Sequence, residues 1–559
     1  MQLKSVDLKK LYDEKKYSEI IDIIENKIND KDKKSGQLNM LGVCKLLSDN
    51  TKQSLNSAKK DFRRAYLLEK NTNDGLLALK NFINLSMDLF DKDFRLGNET
   101  SKEVFEEIFF FFNEKKEDFE KRESFLRTII RVFKRNLDLD KVIFYLKKII
   151  DINEKNIGAI CTYIYFNCYR KEWDQKKFFE FSQILNQNLP LYPSNKLNNL
   201  TDSRNKKINL AFFSSDIRSR HAVTFFLKTV LMNYDKKKFD IFLYFNNKED
   251  DTTKEFKTYI SKTKNMMSLS DIEVINTIRN DKIDIMINLM GVSSDHRLQL
   301  FKNRLAKKQI LWCGYNNTTG IKQIDYLISD KNSIHESEKN LYTEEIIYLK
   351  DIWSCHSGFS RKREFNEAPM LKNKFITFGS FNNFRKINDE VINAWSSILK
   401  QVPNSKLILT PSDTASPYMI SEKFHKKGVI NSIKFQSHKK DFNEHLSQYN
   451  KIDIALDTFP YNGVTTSFES IWMGVPVLTI KGYNFISRAG ESINKNLGLD
   501  ELIAENEDDY IKKAISLSKT KDKILDLRKT TYDNALGSPL FDRKKFCNEF
   551  FTSLEKIYN

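Results

Sequence analysis

The sequence predicts an α/β protein: two doubly wound parallel sheets in tandem, preceded by an all-helical region. Three observations predict it. From residue 1 to about 200, apolar residues recur three and four apart, and no strand-like run is convincing. From about residue 205, short apolar runs of strand length alternate with helical segments, the pattern of a parallel sheet covered on both faces. That alternation restarts after the charged stretch Arg361 to Glu364, which divides it into two units. The expected regions are therefore 1–200, 205–365 and 370–559.

Composition agrees with a large folded chain. Its 559 residues are enough for about three or four domains, and 40% hydrophobic with 12% aromatic residues excludes a disordered polymer. No apolar run reaches the roughly 18 residues of a membrane span. The start, MQLKSVDLKKLYDEKKYSEI, lacks the apolar core of a signal peptide. Cysteines 44, 161, 168, 313, 355 and 547 are scattered with no close pair of metal-ligand spacing, so a reducing cytoplasm is expected. The net charge of +17 is spread along the chain and interleaved with acids. It reads as solvated lysine-rich faces, and a nucleic-acid groove is not expected.

Taken in order, the helical region shows its spacing in Leu8-Leu11-Tyr12, Ile20-Ile23-Ile24 and Ile143-Leu146-Ile149-Ile150. Leu41-Gly42, Ala58, Phe62, Ala65 and Leu67, with a loop from Lys70 to Asp74, fit a tetratricopeptide unit. The gap between Gly42 and Ala58 is longer than the consensus, and the closing Pro is absent. A second, weaker unit spans Val142 to Phe166. Such degenerate repeats offer either a concave surface for an acceptor protein or a packing cap on the domains that follow.

In the first α/β unit, strands are expected at 208–214, 240–245, 283–289, 309–312 and 326–329. Helices are expected from Ala222, around 254–261 and over 271–279. In the second, strands are expected at 375–381, 406–410, 433–436, 452–456 and 475–480, with helices at 389–399 and 442–449. Two helical segments, 507–518 and 543–557, finish the chain.

The stretch Ile452 to Ile480 carries the clearest chemistry. After an apolar strand comes Pro460-Tyr461-Asn462-Gly463, a turn by composition. Thr465 and Thr466 are each able to cap the helix that follows, which must end by Gly474 before Pro476. The loop leaves the N–H groups of Val464 to Ser467 at the open end of a parallel sheet. Those donors and the helix dipole suit a pyrophosphate, with the two threonine hydroxyls adding bonds. Glu469, one turn further, is placed to accept from ribose hydroxyls. On composition alone, a capped helix in any α/β protein reads equally well.

The run LDTFPYNGVTTSFESIWMGVPVLTIKGYNFISRAGESINKNLGL, Leu456 to Leu499, resembles the nucleotide-sugar site of glycosyltransferase family forty-one, the O-GlcNAc transferase family. INLAFFSSDIRSRHAVTFFL, from Ile208, is similar to that family's first catalytic strand and turn. His221 matches a histidine after an S-x-D motif, with one extra residue before it. The block from Ile283 to Asp330 is also similar, with Asn316-Asn317 where the family typically has Pro-Gly. In FGSFNNFRKINDEVINAWSSILKQVPNSKLIL, from Phe378, Lys386 aligns with the essential lysine and Asn383 stands where Gln is usual. In NEHLSQYNKIDIALDTFPY, from Asn443, His445 stands where an imidazole stacks near the uracil. Val464 stands where the animal enzyme has His. The resemblance covers about residues 205 to 535.

The resemblance implies a GT-B architecture of two Rossmann-like domains behind tetratricopeptide-like repeats, in a bacterial branch of the family. It implies an inverting transfer of a sugar to Ser or Thr of a protein, with UDP-GlcNAc as the first-choice donor and no metal. Other members transfer fucose from GDP-fucose or glucose to Asn. By the same carry-over, Lys386 and His221 are the candidate catalytic residues. Asn383, His445, Gly463, Thr465, Thr466 and Glu469 join Lys386 in holding the nucleotide sugar. A UDP-sugar epimerase and a non-catalytic repeat scaffold are the readings from other classes.

Overall fold

The computed structural model describes residues 7–95, 101–193, 207–260, 262–293, 297–359, 363–410, 417–437, 439 and 441–558. It divides into two compact units, Met1–Ile152 and Asn153–Asn559. The expected boundary near 200–205 falls outside the described residues, as do Arg361 and Lys362 of the charged stretch.

The first unit is helical. Helices Ser35–Ser48 and Lys52–Leu68 pack on one another, and a Cβ on Gly42 would meet the Phe62 ring at 2.6 Å. Ala58, Phe62 and Ala65 have no exposed surface. The positions that suggested a repeat are thus the ones that let two helices approach closely. Further along, Phe112, Phe119, Phe133 and Tyr145 pack edge-to-face or stacked with centroids 5.5–6.1 Å apart. The weaker unit expected over Val142 to Phe166 is divided. Its first helix, Leu139–Ile152, closes the first unit, and its second, Ile157–Asn167, belongs to the other.

The second unit holds both sheets. The first comprises β1 (Ile208–Ser214), β2 (Phe239–Phe245), β3 (Lys262–Asn265), β4 (Ile285–Asn288), β5 (Lys308–Leu311), β6 (Tyr326–Asp330) and β7 (Glu345–Leu349). It is parallel throughout, in the order β3-β2-β1-β4-β5-β6-β7. The second comprises β8 (Thr377–Ser380), β9 (Lys406–Leu409), β10 (Ile433–Phe435), β11 (Ile454–Leu456), β12 (Val477–Ile480) and β13 (Ile503–Ala504). It too is parallel, in the order β10-β9-β8-β11-β12-β13. Every residue of β1 is buried, as expected of a central parallel strand with helices on both faces.

Three edge strands, β3, β7 and β13, lie outside the expected set, the last being only two residues long. β3 is KTKN, largely exposed and without an apolar run, and β7 is EIIYL, too short to stand out. The last helix, Arg543–Tyr558, was expected with residues 370–559. Its apolar face, Phe546, Cys547, Phe550, Phe551 and Leu554, packs instead into the core of the first sheet, with Phe550 4.8 Å from Trp312. The chain thus returns to its first sheet after completing its second. The two sheets are also joined by the bidentate Arg488–Glu338 pair at 2.6 and 2.8 Å and by Ser492 Oγ donating to Asp330 Oδ2 at 2.8 Å. Among the described residues no helix is long and apolar enough to cross a membrane.

Candidate active site

The carboxyl ends of the two sheets supply the candidate residues, the place where doubly wound folds hold ligands. From the second sheet, the chain leaving β8 carries Phe381, Asn382 and Asn383 into a short turn, Phe384–Lys386. The chain leaving β11 carries Asp457, then the loop through Asn462 and Gly463 into helix Thr465–Trp472. From the first sheet, the turn after β1 carries Asp216 and, with Arg220 at φ +62°, delivers His221 to the start of helix Ala222–Met232.

Lys386 is brought to the loop as expected. Its Nζ donates to the Asn462 carbonyl at 2.6 Å and stands 4.2 Å over the Tyr461 ring. Burial lowers its pKa to about 8, opposed by the negative charge of Asp457. Asn383 instead caps its own turn, its Oδ1 accepting from Arg385 N–H at 3.1 Å. The residue before it has the larger structural part. Asn382 donates to Asp457 Oδ1 at 3.3 Å and accepts the Thr466 hydroxyl at 2.9 Å.

The helix start differs from expectation in detail. Val464 is the N-cap, and no side chain caps the helix. Thr465 and Thr466 form its first turn. Thr466 Oγ1 bonds Asn382, whereas Thr465 Oγ1 is buried with no partner among the described residues. A buried hydroxyl without a partner costs free energy unless something from outside bonds it. Of the four N–H groups expected to face a ligand, Ser467 N–H is already used by the Val464 carbonyl at 3.0 Å. Gly463 must be small: a Cβ there would meet Thr466 Oγ1 at 2.6 Å and Asn382 Oδ1 at 2.9 Å.

Asp457 organises this loop and was not singled out in the sequence. Its Oδ1 accepts from Gly463 N–H at 2.7 Å and Thr458 N–H at 2.9 Å, and its Oδ2 from Thr479 Oγ1 at 2.8 Å. Burial nonetheless raises its pKa from 3.8 to about 6. Its position directly after an apolar strand was the one available signal.

Glu469 and His445 are brought together. Glu469 Oε2 accepts the Tyr449 hydroxyl at 2.7 Å and lies 3.1 Å from His445 Nε2. The carboxylate is therefore already bonded within the protein, more enclosed than a free ribose acceptor would be. The His445 ring stacks at 5.8 Å on Phe442 and lies 6.4 Å from Phe381, in an aromatic surround that suits a nucleobase. His221 is on the other side, from the first sheet. Its Nε2 lies 3.4 Å from Asp216 Oδ1, its Nδ1 is buried without a partner among the described residues, and burial lowers its pKa. Asn317, at the replaced Pro-Gly pair, is buried, and its Oδ1 accepts from Gln175 Nε2 at 2.8 Å, which ties that loop to helix Gln175–Asn188.

This geometry coincides with a family match. The sequence model of glycosyl transferase family 41 matches residues 182–357 and 364–550. The chain belongs to glycosyl transferase family 41. All eight residues singled out in the sequence lie inside the matched ranges. The family 41 chain is 32% identical over 353 residues to the probable UDP-N-acetylglucosamine–peptide N-acetylglucosaminyltransferase SPINDLY of Solanum lycopersicum, covering 60% of this chain and 37% of that protein. It is 20% identical over 475 residues to the UDP-N-acetylglucosamine–peptide N-acetylglucosaminyltransferase of Caenorhabditis elegans, covering 63% and 41%. The chain thus spans about two fifths of the length of these curated relatives. A solved O-GlcNAc transferase mutant from Thermobaculum terrenum shares the fold, with a TM-score of 0.77 at 21% identity, over 94% of this chain and 98% of that one.

Proposed function

We propose that this chain is an inverting glycosyltransferase that moves a sugar, GlcNAc from UDP-GlcNAc in the first instance, to Ser or Thr hydroxyls of a protein. One observation carries the reading. The Lys386 ammonium is held by the carbonyl of Asn462, three residues before a helix start at which the buried Thr465 hydroxyl has no partner among the described residues. An ammonium, an uncapped helix end and a spare hydroxyl are the groups that stabilise a departing diphosphate. Two of the curated relatives bear names that specify UDP-N-acetylglucosamine and a peptide acceptor, which favours that donor.

In the proposed reaction, the acceptor oxygen attacks the anomeric carbon as the bond to the β-phosphate oxygen breaks. Lys386 and the helix amides take up the growing charge, so the chemistry needs no metal. His445, with Phe442 and Phe381, holds the base, and Glu469 buttresses His445. His221, held neutral near pH 7 by burial, is the candidate to receive the acceptor proton or orient the acceptor hydroxyl, with Asp216 steadying its ring. The helical repeats of the first unit are the proposed acceptor surface. A cytoplasmic location is proposed on the six free cysteines, five of them buried.

The test is calorimetric titration with UDP, GDP, UDP-GlcNAc, UDP-glucose and GDP-fucose, followed by donor turnover in the presence of candidate acceptor proteins. Uridine-selective binding that weakens in Lys386→Met supports the reading. Guanosine-selective binding redirects it to fucose, and no binding to any of the five refutes it.

A further inference from the structure

Lys386 stands against one face of a ring whose other neighbours come from far away in the chain. The Tyr461 ring carries the Lys386 ammonium at 4.2 Å, and Tyr169 stacks on Tyr461 with centroids 5.3 Å apart and planes 28° from parallel. Tyr169 follows helix Ile157–Asn167, ahead of the first sheet and outside the residues matched to family 41. Its own carbonyl accepts from Asn388 Nδ2 at 3.3 Å, and the same amide donates to the Phe459 carbonyl at 2.9 Å. Its hydroxyl reaches that of Tyr165 at 3.5 Å. One asparagine, the N-cap of helix Asp389–Gln401 and two residues after Lys386, therefore clamps the turn bearing Tyr169 to the loop bearing Tyr461.

We infer that Tyr169 and Tyr461 are positioning residues for Lys386: the Tyr461 ring holds the ammonium at its carbonyl, and Tyr169, stacked on that ring, fixes its orientation. The assignment rests on the proposed role of Lys386 at the leaving diphosphate. A lysine side chain has several rotatable bonds and three donors, of which Asn462 engages one. A single carbonyl does not define where the other two point. A neutral aromatic face beneath the charge removes much of that freedom, because the ring quadrupole attracts the cation from one direction. Tyr461 remains a neutral phenol throughout, since burial and the neighbouring Tyr165 push its ionisation well upward. Among the described residues, Tyr461 and Asp457 act on the ammonium directly, while Arg385, Tyr165 and Tyr169 act on the two stacked phenols. Of these, Asp457 supports the charged lysine.

The test reads the lysine itself, in the full chain labelled with 13Cε-lysine. The Lys386 resonance is identified by its loss in Lys386→Met. Tyr461→Leu keeps apolar volume and removes the π face, so the Lys386 midpoint is expected to fall by about half a pH unit. Tyr169→Leu leaves Tyr461 in place but unsupported, and the fall is smaller. Tyr461→Phe and Tyr169→Phe, which keep the ring faces, restore the wild-type midpoint. With UDP-GlcNAc hydrolysis as the second readout, the Leu variants lose about three- to tenfold in kcat with a smaller change in KM. Tyr169→Leu acts from outside the loop, so it keeps the test open if Tyr461→Leu does not fold. Leu variants that titrate at the wild-type midpoint and keep the wild-type kcat overturn the assignment. A moved midpoint in a protein that never consumes UDP-GlcNAc supports the positioning and refutes the donor reading instead.

Discussion

Tyr449 donates its buried hydroxyl to Glu469 Oε2 at 2.7 Å, and the same oxygen lies 3.1 Å from His445 Nε2. A carboxylate, a phenol and an imidazole from two helical segments thus form one hydrogen-bonded group at the rim of the candidate nucleotide site. Glu469→Ala leaves the Tyr449 hydroxyl only its longer bond to the Thr466 carbonyl, 3.2 Å. The expected loss is about 1–3 kcal/mol of stability in a denaturant melt, with weaker UDP binding because His445 loses its anchor. Tyr449→Phe is expected to cost less stability and to leave His445, and hence UDP affinity, closer to wild type.

Lys386→Met is expected to reduce donor turnover by about a hundred- to a thousandfold while leaving the melting temperature near wild type, since it removes charge stabilisation and not core packing. The depressed lysine pKa, about 8, adds a pH dependence. The cation is present below that pH and is lost as pH rises through it, so free-enzyme affinity for UDP should fall on the alkaline side. Calorimetric titrations from pH 6.5 to 9.5 check this, and Lys386→Met should show no such fall.

Asp457 should make stability fall as pH rises through the acid range. Its folded pKa, about 6, lies above the ordinary 3.8. Between those values the folded protein holds a proton that the unfolded chain has lost. The contribution is therefore full below about 3.8 and is lost as pH rises through about 6, an effect of ~3 kcal/mol at most. Asp457→Asn, which cannot titrate, should lose less stability than wild type as pH is raised over this window. Equal slopes in urea melts at pH 4 to 6.5 would count against the assignment.

Gly463→Ala is expected to damage the site more than the fold. The added methyl meets Thr466 Oγ1 and Asn382 Oδ1, the two partners of one hydrogen bond. Separating them costs about 1–3 kcal/mol and reorients the first turn of helix Thr465–Trp472. UDP affinity is expected to fall by more than this stability loss explains, as paired melts and titrations would show.

Much of the fold was legible because buried parallel strands are apolar on both faces. INLAFFS, DIFLYF and VPVLTI read as strands before any contact is known. The loop at Pro460-Tyr461-Asn462-Gly463 and the helix after it were legible for a similar reason, since turn chemistry is local. Where the signal was polar or short, as in β3 and β7, the strands went unread. The amphipathic pattern of Arg543–Tyr558 announced an apolar face without saying which sheet would cover it.

By itself, the sequence determined the two-sheet architecture, the loop that leads into helix Thr465–Trp472, and which residues are candidates at that loop. The tertiary structure alone decided their partners. Asn382 with Asp457 and Thr466, Tyr449 with Glu469, Gln175 with Asn317 and Tyr169 with Tyr461 join residues between 20 and 292 positions apart. The physical reason is range. Propensity, capping and turn preference act over a few residues and are written in local order. Hydrogen bonds, stacking and burial depend on which distant segments the closed chain brings within a few ångströms.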